Sequence, residues 1–214
     1  MVQARGLAKR QAIMAAAADL FDERGAANAS LADVIDRAGG TRGGFIYHFP
    51  SREALVAALA QEADIRIAET MMQGFGSATS ALEGLIRASF LVAELIQRHT
   101  VTRVGLQLLY GSPSGGLGTT GDTDTRLVAS DSAVVRAMAE GDLRDDLDPE
   151  QISYTIAMSL RGCFLNSVAA GVDPCAGLAG IWPVLLRGIV TDGLVDYVDQ
   201  MVTRLAHKHS RVGI

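Results

Sequence analysis

Apolar positions recur at helical spacing along most of this chain, and polar residues with the right geometry mark where each run starts. Ile13, Ala17, Leu20 and Phe21 share one face of a segment from Leu7 to Arg24, and Gly25 is its stop. Ser30 then opens LADVIDRA, with Asp33 three residues on: a capping box with Asp in place of Glu or Gln. This short segment ends at Gly39. Thr41 is the next N-cap, opening RGGFIYHF, and Ser51 is another, opening REALVAALAQEADIRIAETMM. The stretch FIYHF has the ring and β-branched content of a strand. It is bracketed by helix caps on both sides, Pro50 discourages helical geometry only at Phe49, and no partner strand lies nearby. A helix is predicted.

Beyond residue 74 the pattern is that of a helical bundle. Ala78–Arg98 carries Leu82, Ile86 and Phe90, and Val101–Tyr110 is a short helix. Residues 111–125, GSPSGGLGTTGDTDT, read as a loop rich in Gly, Ser and Thr. Arg126–Glu140 follows. Asp148-Pro149-Glu150-Gln151 then supplies an N-cap, a Pro at the first helical position and a Gln at the third, starting a long apolar helix that ends near Gly171. Asp173-Pro174 opens another helix, which Pro183 is expected to bend. A last helix is predicted from Gly193 to Ala206. No internal repeat is visible. The fold class is all-α: an N-terminal three-helix helix-turn-helix domain (residues 1–50), a linking helix (51–73), and a C-terminal bundle for ligand binding and dimerisation (74–214).

Two segments raise the question of a membrane. Residues 152–172 hold a single charge, Arg161, and residues 178–198 are nearly as apolar. A central Arg is costly in a spanning helix, and acidic residues flank both segments. They read instead as helices buried twice, once in their own core and once against a partner. No membrane association and a cytoplasmic location are expected.

Of the 214 residues, 49% are hydrophobic and 20% charged, as in a globular chain. The net charge of −5 argues against a protein that coats nucleic acid indiscriminately. The charge is uneven, however: residues 1–52 carry seven Lys/Arg against five Asp/Glu, and the remainder twelve against nineteen. Only the N-terminal quarter suits a polyanion. The two cysteines, Cys163 and Cys175, lack metal or redox spacing and point to a reducing compartment. No metal and no cofactor are expected.

Three N-terminal helices, the second and third short and joined by a tight turn, make a helix-turn-helix. The third begins Thr41-Arg42-Gly43-Gly44. Its free backbone N–H groups favour phosphate, and the glycines remove Cβ atoms where backbone would approach a groove. Arg42 can reach guanine O6/N7 or a phosphate. Tyr47 and His48 offer polar tips, and Arg52 starts the next helix beside them. The expected DNA-contacting set is Arg5, Ser30, Thr41, Arg42, Gly43, Gly44, Tyr47, His48 and Arg52. Phe45 and Phe49 are expected in the core. Ile46 stands open between core and groove, and His48 between a DNA contact and a tie joining two helices.

Residues 8–55 resemble the DNA-binding domain of TetR-family transcriptional repressors. The matching pieces are Ala15-Ala16-Ala17 with Leu20-Phe21 and Gly25, Ser30 with Asp33-Val34-Ile35 and Ala38-Gly39, Thr41-Arg42-Gly43, and His48-Phe49-Pro50-Ser51-Arg52-Glu53-Ala54-Leu55. Family members usually carry an aromatic where this chain has Ile46 and a small side chain where it has Gly44. The resemblance implies a homodimer on a palindromic operator of double-stranded DNA, and a C-terminal domain that binds a small molecule and thereby releases the DNA. Residues 102–109, 140–150 and 181–188 further resemble the γ-butyrolactone-receptor branch. That implies a γ-butyrolactone or another apolar metabolite as effector. Those receptors usually carry a Trp in the helix equivalent to Arg126–Glu140; here the only Trp is Trp182.

Gln107, Tyr110 and Asn166 lie on otherwise apolar helices. With Met158 they are the candidate ligand-binding residues, each polar one open between orienting a ligand and being a satisfied interior group. Arg161 is expected to pair with an acid at the dimer interface, Cys163 to act as a small buried hydrophobe, Trp182 to pack, and Arg24 and Arg37 to be solvated. His99, His207 and His209 lack catalytic partners at recognisable spacing, and no phosphate-binding loop or nucleophile motif occurs, so an enzyme is not expected. The alternative is a helical protein–protein adaptor without sequence-specific DNA binding.

Overall fold

The computed structural model describes residues 2–110 and 125–210, with side chains for 4–110 and 131–210. The predicted loop 111–125 falls almost wholly outside the described residues. Among the described residues every regular element is a helix, and one isolated bridge joins Leu143 to Val190. By packing the chain divides into two compact units, and the division falls inside one helix, between Arg66 and Ile67.

The first unit holds α1 (Val2–Arg24), a 3-10 turn (Ala26–Asn28), α2 (Leu31–Arg37), α3 (Arg42–His48), the first part of α4 (Arg52–Gly76) and α6 (Thr100–Tyr110). The cap residues act as their sequence positions require. Ser30 and Asp33 form the reciprocal capping box of α2. Thr41 Oγ1 accepts from the Gly44 N–H at 3.2 Å, and Ser51 Oγ accepts from the Ala54 N–H at 3.2 Å. FIYHF is helical, and Phe45 and Phe49 are buried with rings 5.8 Å apart. They join Phe21, Val34, Leu59 and Val104 in one core. Val104 brings α6 into that core although it follows residue 74 in sequence. α6 also crosses α4 at Gly105, where a Cβ would lie 2.5 Å from the Leu59 carbonyl oxygen and from Ala63 Cβ.

The second unit holds the rest of α4, α5 (Ala81–Arg98), α7 (Thr125–Ala139), α8 (Pro149–Ala170), α9 (Pro174–Ile189) and α10 (Val195–His209), the last preceded by a 3-10 turn at Asp192–Leu194. Asp148 and Asp173 cap α8 and α9 as expected. Gly171 ends α8 in the left-handed region at φ 67°, where a side chain would be strained. The last helix starts later and runs further than the periodicity suggests. α9 continues through Pro183, whose carbonyl accepts from Arg187 Nη1 at 3.1 Å. Trp182 is fully buried and donates through Nε1 to Ser89 Oγ at 2.9 Å, so it does pack, with its polar atom satisfied. Cys163 and Cys175 are both buried and free. Among the described residues no helix is long and apolar enough to cross a membrane.

Candidate nucleic-acid interface

α3 has two faces. Phe45 points inward beside Phe49, while Arg42, Gly43, Ile46 and Tyr47 are exposed. Spacings of three and four residues put these four on one side of the helix. Tyr47 is 84% exposed and Ile46 50%. Arg42 makes no side-chain hydrogen bond or ion pair with the described residues, so its guanidinium keeps its donors for a partner from outside. The structure thus resolves Ile46 in favour of the surface.

The two glycines of this helix turn out to have different reasons. A Cβ on Gly44 would sit 3.3 Å from Thr41 Oγ1, the atom that caps α3, so Gly44 preserves the cap. A Cβ on Gly43 would meet nothing within 4 Å. Nothing inside the chain requires a glycine there.

Other members of the expected set have duties within the fold. Ser30 is exposed, but its hydroxyl is engaged with Asp33: Oγ lies 2.5 Å from Asp33 Oδ2 and accepts from the Asp33 N–H at 3.2 Å. The Ser30 hydroxyl and backbone N–H hold the Asp33 carboxyl below its ordinary range. Arg52, expected to face DNA, is committed differently. Its Nη2 donates to the Ala26 carbonyl and, at 3.3 Å, to that of Ala29, and its guanidinium lies over the Phe21 ring. It therefore braces the turn between α1 and α2. His48 is half-buried, edge-on to Tyr47 with ring centroids 5.1 Å apart. Arg5 is exposed on the first turns of α1.

Sequence reasoning missed the residues that hold this platform in place. Lys9 donates from α1 to the Ala38 carbonyl at 2.9 Å and so closes the end of α2. Arg10 lies over the Phe49 ring at 4.9 Å. Arg37, exposed as expected, also forms a two-pronged pair with Glu23, at 2.9 and 2.8 Å; that hydrogen bond draws the Glu23 carboxyl below its usual range. Arg24 lies 3.8 Å from Asp33. Arg103 of α6 grips Asp22 of α1 through Nε at 2.9 Å and Nη2 at 2.7 Å. The available signal was the row of basic residues on α1 opposite acceptor-rich helix ends, but the pairing is long-range.

The candidate ligand residues divide between the two units. Gln107 and Tyr110, half-buried, lie on α6 in the first; Met158, half-buried, and Asn166 lie on α8 in the second. Asn166 is exposed, so it does not stand on an enclosed apolar wall of the single chain. Among the described residues no cluster of His, Cys, Asp or Glu could hold a metal ion.

Known proteins match both the local site and the whole chain. A profile described as bacterial regulatory proteins, tetR family, matches residues 13–59. The A-factor receptor protein of Streptomyces griseus is 26% identical over 199 residues, 92% of this chain and 69% of that protein. A crystal structure of a γ-butyrolactone receptor (ArpA-like protein) aligns with a TM-score of 0.81 at 26% identity, covering 95% of this chain and 99% of the other. The TetR-family protein CprB from Streptomyces coelicolor, in complex with its biological operator sequence, aligns with a TM-score of 0.79 at 26% identity and the same coverage.

Proposed function

We infer that this chain, which belongs to the tetR family of bacterial regulatory proteins and to its γ-butyrolactone-receptor-like branch, is a repressor that binds a palindromic operator as a homodimer and lets go when a small apolar effector binds. Members of this family are DNA-binding regulators, not enzymes. The observation that carries the reading is the face of α3: a capped helix presenting Arg42, Gly43, Ile46 and Tyr47 outward with a free guanidinium. Such a face gives a groove-reading helix one bidentate base contact, one apolar contact and one phosphate-directed phenol. Arg5 and His48 join it as backbone contacts.

The homodimer is assigned to residues 149–170 and 178–204. Tyr154, Val184 and Tyr197 are exposed large hydrophobic side chains within these ranges, and a twofold axis would set this patch against the same patch of the second copy. A dimer suits adjacent major-groove half-sites with centres ~34–36 Å apart. The effector is a γ-butyrolactone or another apolar metabolite, in keeping with what the related receptors are named for. Residues 1–50 read DNA, residues 74–214 bind ligand and dimerise, and α4 is the continuous chain between them. The effector must bind the DNA-incompetent state more tightly, because equal affinity for both states shifts nothing.

The test is selection of DNA from a random pool at moderate salt, with sedimentation of the protein at micromolar concentration. A single palindromic site retained far above bulk DNA, a dimer, and release by a γ-butyrolactone are the expected results. Retention no better than for bulk DNA would leave the adaptor reading in its place.

A further inference from the structure

We propose that Ile46 is a specificity-determining residue that reads the C5-methyl group of a thymine in the operator. The proposal rests on α3 being the groove-reading helix. Four observations carry it. Ile46 is half exposed on the outward face of α3, whose inward Phe45 and C-terminal cap residue Phe49 are both buried. Its neighbours on that face are Arg42 and Tyr47, which offer donors and a phenol, so Ile46 is the one purely aliphatic side chain there. Gly43, one turn before it on the same face, has no reason inside the chain to lack a Cβ; the lack admits a close external surface. And Ile46 has no hydrogen-bonding capacity, so the one feature of a base edge it can recognise is apolar.

In the major groove that feature is the thymine methyl, and apolar contact with it is an established mode of base reading. An exposed β-branched side chain also suits the task. It is stiff at χ1, so it presents its methyl groups to the groove with little freedom to lose. The base pairs facing Ile46 are therefore A·T or T·A, at one position in each half-site. Arg42 is four residues away, and the two side chains read neighbouring base pairs.

The experiment begins with the sequence the protein selects from the random pool. Each thymine in one half-site, and then its symmetry mate, is replaced by deoxyuridine, which removes the methyl group and nothing else. Affinity is measured for the native protein and for Ile46→Ala and Ile46→Val, with helicity checked by circular dichroism. The expected result is one symmetry-related pair of positions where the substitution weakens native binding. The loss of one buried methyl should cost about fourfold per half-site and about fifteenfold for the pair. Ile46→Ala should be nearly insensitive at that pair, and Ile46→Val should keep most of the native response. Equal losses in native protein and Ile46→Ala at every thymine, or no methyl effect anywhere, would overturn the assignment while leaving the regulator in place. A pool that returns no preferred sequence would remove the regulator reading, and this assignment with it.

Discussion

The two units are fastened differently. In the first, which holds two helices of only seven residues, cations tie together elements far apart in sequence: Lys9 on the Ala38 carbonyl at the end of α2, Arg52 on the 26–29 turn, Arg37 of α2 on Glu23 of α1, and Arg103 of α6 on Asp22 of α1. In the second, helices of 22, 16 and 15 residues add buried polar fasteners to exposed pairs such as Arg187 with Asp199 at 2.8 Å. Trp182 donates to Ser89, which donates in turn to the Ile86 carbonyl at 2.7 Å, and the enclosed His209 ring meets Glu94 at 2.6 Å. The difference follows from length. A two-turn helix leaves most of its backbone groups unpaired and cannot stand alone. It needs partners for its ends, and these are found at the surface. A long helix satisfies its own backbone and needs polar help only where a large polar side chain is enclosed.

The largest break in this comparison is Trp182→Ala. Removing the buried indole should cost about 3–5 kcal/mol, read by urea unfolding. Amide exchange should quicken in α5 and α9 and stay unchanged in α1 to α3; uniform quickening would mean the two units do not differ as described. Next comes Gly105→Ala, which strikes the first unit at a place without charge. The added methyl meets the Leu59 backbone at 2.5 Å, and a net loss of about 1–3 kcal/mol is expected, with exchange quickening in α6 and the first turns of α4.

Ser30→Ala removes an end fastener and should cost about 1 kcal/mol. The sign of its pH dependence is fixed. Asp33 has a lowered folded pKa, so its contribution is present above its ordinary value near pH ~4 and is lost as pH falls through the depressed value. The native protein should therefore lose more stability than Ser30→Ala on acidification through this window, and parallel titrations would count against the capping box. The smallest effect is Gly43→Ala. Alanine should stabilise α3 by about 0.5–1 kcal/mol because it meets nothing in the chain. Operator affinity should nevertheless fall, and unchanged affinity would show that no surface approaches there.

These contrasts explain what the sequence could reveal. The caps at Ser30, Thr41, Asp148 and Asp173 act within a few residues, so the starts of these four helices were readable, and FIYHF could be recognised as helix from its brackets alone. The inward pair Phe45 and Phe49 and the outward Tyr47 followed from the same helix. Arg52 was grouped with the expected DNA contacts because it follows them in sequence, but the acceptors it uses within the chain lie on a turn 23 to 26 residues earlier. α6 looked like part of the bundle by position, whereas Val104, Gly105 and Arg103 tie it to helices far away in sequence. Bracing of this kind depends on which helix ends meet, and periodicity carries no record of that.

Both thiols of the chain lie in the second unit, and neither is reactive as folded. Cys163 and Cys175 are buried. Burial and the nearby Asp173 carboxylate push the Cys175 thiol up to about 12 and raise that of Cys163 as well. Alkylation needs an accessible thiolate, so a reagent in excess can label the native protein only during openings of the α8–α9 pair. The rate of modification is then a clock for that unit alone, because the first unit contains no cysteine. A cysteine introduced at the exposed position 47 would add a fast, separable signal, and operator binding should silence it without slowing the clock.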